Sequence, residues 1–239
     1  MTSDADEAAE RTIESERSLS PMRKTIASRL KESYQEAVHV TVSREVPAGS
    51  MLTAAEADLD VDGEAVDPSE MDVLLCALSD TLAEHPAFNA TFEDGTHRIY
   101  EEHNVGVAVA IDDGLVTPVL EDVASKSLAE VTRERRRLTQ RVQDGDYTMK
   151  TFQGGTVTVS NLGPLGVDSF TPIINPPEIA ILGVNRIREE AVPDGDDFAV
   201  ERRLTLDLSF DHRVVDGADA ARFLRTLAGH LEEVGKYVG

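Results

Sequence analysis

Apolar and polar residues alternate most regularly near the C-terminus. In Arg203-Leu-Thr-Leu-Asp-Leu-Ser-Phe210, Leu204, Leu206, Leu208 and Phe210 share one face and Thr205, Asp207 and Ser209 the other. That pattern predicts a half-buried strand. The period then changes, because Ala220, Leu224, Leu227, Leu231 and Val234 recur at helical spacing. Asp216, with Asp219 three residues on, is placed to cap that helix. Upstream, Ser20-Pro21 starts a helix with Met22, Ile26 and Leu30 on one side. His39 to Arg44 reads as a strand. A further helix opens at Asp67-Pro68-Ser69-Glu70 and runs to about Glu84, where His85-Pro86 stops it. Phe88 to Phe92 and His97 to Tyr100 flank Asp94-Gly95 and predict a hairpin. Val105, Val107, Val109 and Ile111 alternate with small residues as one strand. A charged helix covers Leu128 to about Val142, with Gly145 ending it. Gly154 to Gly163 is a strand entering a glycine-containing turn. The elements are mixed and show no internal repeat, which predicts one α/β domain over residues 18–239. Residues 1–17 are polar, acidic and aperiodic, and read as a disordered arm or linker stub.

Composition narrows the function classes. At 239 residues and 41% hydrophobic, the chain can bury a sizeable core. No apolar run is long enough to span a bilayer, and the acidic N-terminus lacks the layout of a signal peptide, which points to the cytoplasm. Cys76 is the only cysteine and sits in the apolar run Met71-Asp-Val-Leu-Leu-Cys-Ala-Leu, so it reads as a small core residue. His39, His85, His97, His103 and His230 are scattered without ligand spacing, and no metal site is expected. The net charge of −22 argues against nucleic-acid binding. Self-repulsion of that size calls for screening, which points to the salty cytoplasm of an extreme halophile.

The chemistry concentrates on Ser209-Phe-Asp-His-Arg-Val-Val-Asp-Gly217, where a strand hands over to a helix. A lone histidine there is most simply a satisfied strand-end residue. His212 is not alone, since an acid precedes it, an arginine follows and Asp216-Gly217 closes the loop. The stretch resembles the Asp-His-Arg-x-x-Asp-Gly signature of the dihydrolipoyl acyltransferases, the core subunits of 2-oxo acid dehydrogenase complexes. Other segments resemble the same family in the same order: Arg23-Lys-Thr-Ile-Ala-Ser-Arg29, His85-Pro-Ala-Phe-Asn89, Gly114-Leu-Val-Thr-Pro-Val119, Ser160-Asn-Leu-Gly163 and Phe170 to Val184. The resemblance runs from residue 19 to 239.

The resemblance implies a chloramphenicol-acetyltransferase-like α/β fold, a largely antiparallel sheet packed against helices. It implies acyl transfer between a dihydrolipoyl thiol and coenzyme A, with His212 as general base, Ser160 as oxyanion donor and Asp216 as an orienting group. Arg23 or Arg29 is a candidate partner of Asp216. Ser69 and Asn161 fall at positions compatible with the family's coenzyme A groove. The family's domain forms homotrimers, which build larger cages with sites shared between subunits. Nothing before residue 19 matches a lipoyl or subunit-binding domain, so the lipoyl group is expected from another domain or chain. The chain is then a stand-alone catalytic domain or a fragment. One departure from the family is plain: no Lys or Arg occurs from Glu45 through His97, where a phosphate contact is usual. A non-catalytic oligomeric scaffold, and a stand-alone acyltransferase acting on a small alcohol or amine, are the competing readings.

Overall fold

Ser20 opens the first element as expected, its hydroxyl accepting the Arg23 N–H at 3.1 Å ahead of Pro21. In this computed structural model, which describes residues 12–112 and 114–238, the chain then runs through α1 (Pro21–Glu36), β1 (His39–Pro47) and α2 (Gly49–Ala54). A small hairpin, β2 (Leu59–Val61) and β3 (Glu64–Val66), precedes α3 (Glu70–Glu84). The predicted hairpin at Asp94-Gly95 forms as β4 (Ala90–Glu93) and β5 (Thr96–Ile99). Then come β6 (Val105–Val107), β7 (Val109–Ile111), β8 (Gly114–Val116), β9 (Val119–Leu120) and α4 (Leu128–Gln143). The chain finishes with β10 (Val157–Asn161), β11 (Ala180–Val184), β12 (Arg188–Asp194), β13 (Asp197–Asp211) and α5 (Gly217–Glu232). The expected acidic arm lies outside the described residues up to residue 11, and residues 12–17 are exposed without regular structure.

The main sheet has the order β1-β13-β11-β10-β6-β9, with β12 pairing the far end of β13. The β11/β10 and β10/β6 ladders are parallel and the others antiparallel. Leu204, Leu206, Leu208 and Phe210 are fully buried with Phe223, Leu224, Leu227 and Leu231 of α5 and Leu74, Leu75, Leu78 and Leu82 of α3. Each such burial contributes about 1.5–3 kcal/mol.

Two expectations need correction. The polar face of β13 is not solvated, for Asp207 and Ser209 are both 0% exposed. The segment after β10 folds over it, and the buried carboxylate is satisfied tertiarily. Asp207 accepts from Ser43 Oγ at 2.5 Å, Ser169 Oγ at 3.0 Å, Phe170 N–H at 2.9 Å and Asn185 Nδ2 at 2.8 Å. Phe170 reaches this position over Gly183, where a Cβ would stand 3.0 Å from its ring. The run Val105 to Ile111 is two strands and not one. Ala108 gives its N–H to Val159 at 2.9 Å, and the chain then leaves the sheet, so that Val109 and Val116 pack against Val142 of α4.

The same cover segment buries Glu178, leaving it 6% exposed. Thr158 Oγ1 donates to it at 2.6 Å and Asn175 Nδ2 at 3.0 Å. Gly155 leaves the space, since a Cβ there would lie 2.6 Å from Glu178 Oε1. Burial pushes the carboxyl up to about 7 from 4.5, against those hydrogen bonds and the Arg29 charge. The folded protein therefore holds a proton that the unfolded chain releases. Glu178 adds stability fully below pH 4.5 and loses it as pH rises through about 7, on the order of 3 kcal/mol. Glu178→Gln is expected to remove that slope. Unfolding titrations of parent and variant across this range check it, and parallel pH curves would refute the assignment.

Candidate active site

His212 stands one residue beyond β13 and five before Gly217 opens α5. Its loop is pinned from several sides. The His212 N–H donates to Val38 O at 2.9 Å. Asp211 is 3% exposed and accepts from Val38 N–H at 3.2 Å, from Arg213 N–H at 3.0 Å and from the Arg213 guanidinium at 2.6–3.0 Å. Burial works against the Asp211 anion, but the Arg213 and Val38 donors outweigh it and hold the carboxyl below its usual range. Arg213 also lies over the Phe92 ring at 4.9 Å, tying the loop to the β4-β5 hairpin. The acid and base flanking His212 thus fix the loop and leave the imidazole free, its side chain 41% exposed.

Asp216 caps α5 as expected, its N–H donating to the Asp219 carboxylate at 3.2 Å. Its Oδ1 is 3.7 Å from His212 Nδ1, too long for a hydrogen bond, and its side chain is 77% exposed. Neither suggested arginine reaches it. Arg29 Nη2 donates to Pro176 O at 2.6 Å, and among the described residues Asp216 pairs only with His212.

Ser160 is the penultimate residue of β10, 7% exposed, and its hydroxyl has no hydrogen-bond partner among the described residues. Strand register places it relative to His212. Ser160 is opposite Gly183, which is opposite Asp207, and His212 lies five residues farther along that strand. At about 3.3 Å per residue and about 4.8 Å per strand, the two Cα atoms are roughly 19 Å apart. One chain does not bring this base and this donor together.

Ser69 and Asn161 do meet, in a cleft of about 440 Å³ between the start of α3 and the ends of β10 and β11. Asn161 Oδ1 accepts the Gly163 N–H at 2.8 Å, which shapes the turn after Ser160. Ser69 forms a capping box with Asp72. Sequence reasoning missed Arg135 of α4, which lines this cleft. Its guanidinium holds both oxygens of the buried Asp72 and donates to Ser69 Oγ at 3.2 Å. The segment lacking Lys and Arg is thus answered from α4, whose Arg133 and Arg137 also pair with Asp62 and Glu64 of the β2-β3 hairpin. Five arginines within Leu128–Gln143 were the available signal, but nothing local says which faces the cleft. Cys76 is buried as expected, its thiol pushed up to about 12 by burial and then by the charges of Asp72 and Asp80.

Comparison with known proteins places this arrangement. The model of the 2-oxoacid dehydrogenases acyltransferase catalytic domain matches residues 11–238. The chain is 37% identical over 214 residues to the dihydrolipoyllysine-residue acetyltransferase component of the pyruvate dehydrogenase complex of Rickettsia conorii, covering 88% of this chain and 52% of that protein. It is also 37% identical over 223 residues to the succinyltransferase component of the 2-oxoglutarate dehydrogenase complex of Bartonella vinsonii, covering 92% and 54%. The chain spans about half the length of the curated relatives it matches. A probable dihydrolipoamide acetyltransferase from Listeria monocytogenes superposes with TM-score 0.86 at 30% identity, over 93% of this chain and 96% of that one. The Azotobacter vinelandii dihydrolipoamide acetyltransferase gives 0.84 at 30%, over 94% of each. The cubic core of a pyruvate dehydrogenase complex gives 0.85 at 30%, over 100% and 99%. A chloramphenicol acetyltransferase, at 16% identity and TM-score 0.52 over 87% and 94%, shares the fold. In its sheet, in the order of its segments and in the match along nearly its whole length, the chain belongs to the 2-oxoacid dehydrogenase acyltransferase family, as a catalytic domain.

Proposed function

We propose that this chain transfers an acyl group between a dihydrolipoyl thiol and coenzyme A, as a core component of a 2-oxo acid dehydrogenase complex. The observation that carries the reading is the presentation of His212, an open imidazole on a loop clamped by Asp211 and Arg213. The Azotobacter vinelandii enzyme adds support. The serine, histidine and asparagine investigated there for roles in catalysis are separated by 52 and 4 residues, the separations of Ser160, His212 and Asp216 here. Aspartate stands in this chain where that enzyme has asparagine.

A free thiol has a pKa of ~8.5 and is mostly protonated near neutrality. The neutral His212 imidazole takes its proton as the sulfur attacks the thioester carbonyl. Ser160 Oγ–H donates to the oxyanion that forms. The imidazolium then returns the proton to the departing sulfur. Asp216, close to Nδ1 but not bonded to it, orients the ring when the site is covered. Ser69 and Asn161 flank coenzyme A in their cleft, and the lipoyl group arrives on another domain or chain. The wide separation of Ser160 and His212 favours a homotrimer in which each site takes its base from one chain and its oxyanion donor from the next. A larger cage built from such trimers is consistent with the cubic core among the similar structures.

The charge of −22 supports a cytoplasm of high salt as the setting, so the test belongs in molar KCl. Acetyl-coenzyme A and dihydrolipoamide together should release coenzyme A, and neither should do so alone. Absence of turnover with dihydrolipoamide and with small alcohols or amines, at every salt concentration, would leave only the scaffold reading. A preference for small alcohols or amines over dihydrolipoamide would replace the proposal with a stand-alone acyltransferase.

A further inference from the structure

We infer that the cleft holding Ser69 and Asn161 selects its thiol substrate by a neutral, amide-bearing arm and draws no selectivity from nucleotide phosphates. The inference rests on the acyltransferase reading and sharpens its substrate class. The cleft is walled by Met51, Met71, Leu74, Val184, Ile187 and Leu204. Its neutral polar groups are the Ser69 hydroxyl and the side-chain amides of Asn161 and Asn185. Asn185 is 2% exposed and gives its Nδ2 to Thr205 O and Asp207 Oδ2, both at 2.8 Å. Its Oδ1 is buried without a partner among the described residues. An orphaned amide oxygen needs an N–H donor, which a phosphate does not bring and an amide does.

The charges point the same way. Arg135 is the one cation lining the cleft among the described residues, and Glu70 lines it as well. Arg135 is committed to Asp72, whose side chain is 0% exposed, and turning it toward a phosphate would strand that carboxylate in the interior. Of the nearby arginines, Arg133 pairs with Asp62, Arg186 with Asp168, and Arg188 and Arg203 with Glu45, while Arg136, which does not line the cleft, donates to the backbone carbonyl of Asp67. Selective phosphate binding requires donors not already spent on carboxylates. A pantetheine chain, branched alkyl with amides and a terminal thiol, matches the apolar walls and the amide lining. The reaction does not involve the nucleotide. The pantetheine sulfur gives its proton to His212 and forms the new C–S bond, while the dihydrolipoyl sulfur leaves with its electron pair and takes up that proton.

Calorimetric titration of the chain with coenzyme A and with pantetheine, both in molar KCl, tests this. The two dissociation constants should agree within about tenfold. One charge-assisted phosphate contact is itself worth about that factor. Coenzyme A binding tighter by more than that, or binding alone, overturns the inference, as does binding of neither thiol. Met71→Trp, which fills the cleft, should weaken both thiols by the same factor. A variant with the parent's melting profile and the parent's affinities would put the thiol elsewhere and overturn it too. Equal binding without transfer in the activity assay would remove the proposed reaction and leave this inference standing.

Discussion

His212→Ala is expected to lower kcat for thiol-to-thiol transfer by about 10²–10⁴-fold, the usual worth of a general base. Melting should stay close to the parent's. The imidazole is 41% exposed at the side chain, with the Phe210 ring centroid 5.7 Å away and the Asp216 carboxylate beyond hydrogen-bond reach. The loop is held by groups that the substitution leaves in place, namely the His212 N–H on Val38 O and the Asp211 carboxylate between Val38 and Arg213. Because proton transfer occurs only in the transition state, kcat and kcat/KM should fall together. A variant that turns over like the parent would end the assignment. A variant that loses melting temperature in proportion to rate would make His212 a structural residue.

The local grammar of the chain was legible where one segment decides its own conformation. Ser20-Pro21, the helix start at Asp67-Pro68-Ser69-Glu70, the Asp94-Gly95 turn and the Asp216 cap each work through residues within four positions of one another, and each forms as read. Asp62-Gly63 and Asp194-Gly195 carry the same hairpin signal between shorter or more polar flanks, and their hairpins went unassigned. What the sequence hides is tertiary. Asp207 looks like a solvent-facing residue because its partners Ser43, Ser169 and Asn185 are 22 to 164 positions away. Val105 to Ile111 has the period of one strand, and only the end of the β10 ladder shows why it breaks at Ala108. Arg135 carries no mark that separates it from its helical neighbours until α4 is docked on α3. Ser160 and His212 were both found by motif, yet only strand register says how far apart they lie in one chain.

That separation gives the second large effect. Ser160→Ala removes a buried hydroxyl that bonds nothing else among the described residues, so the fold should tolerate it. Loss of one oxyanion donor should lower kcat by about 10²–10³-fold. Mixed with His212→Ala chains, unfolded and refolded together, it should regain activity. In the proposed trimer each site takes the base from one chain and the donor from the next. With equal numbers of the two variants, a site is intact when a Ser160→Ala chain supplies His212 and a His212→Ala chain supplies Ser160. Random assembly places those chains in that order at about one quarter of the interfaces of a closed ring. The mixture should therefore approach about one quarter of parent activity, far above either variant alone, while unmixed samples refolded in the same way stay inactive. A site closed within one chain predicts no recovery, since every chain then lacks either its base or its donor. Within one chain a span of roughly 19 Å, set by strand spacing and rise, would have to close for that site to form. If differently tagged variants copurify from the mixture and activity stays at the level of the separate mutants, the shared site is wrong, and base and donor act without crossing an interface.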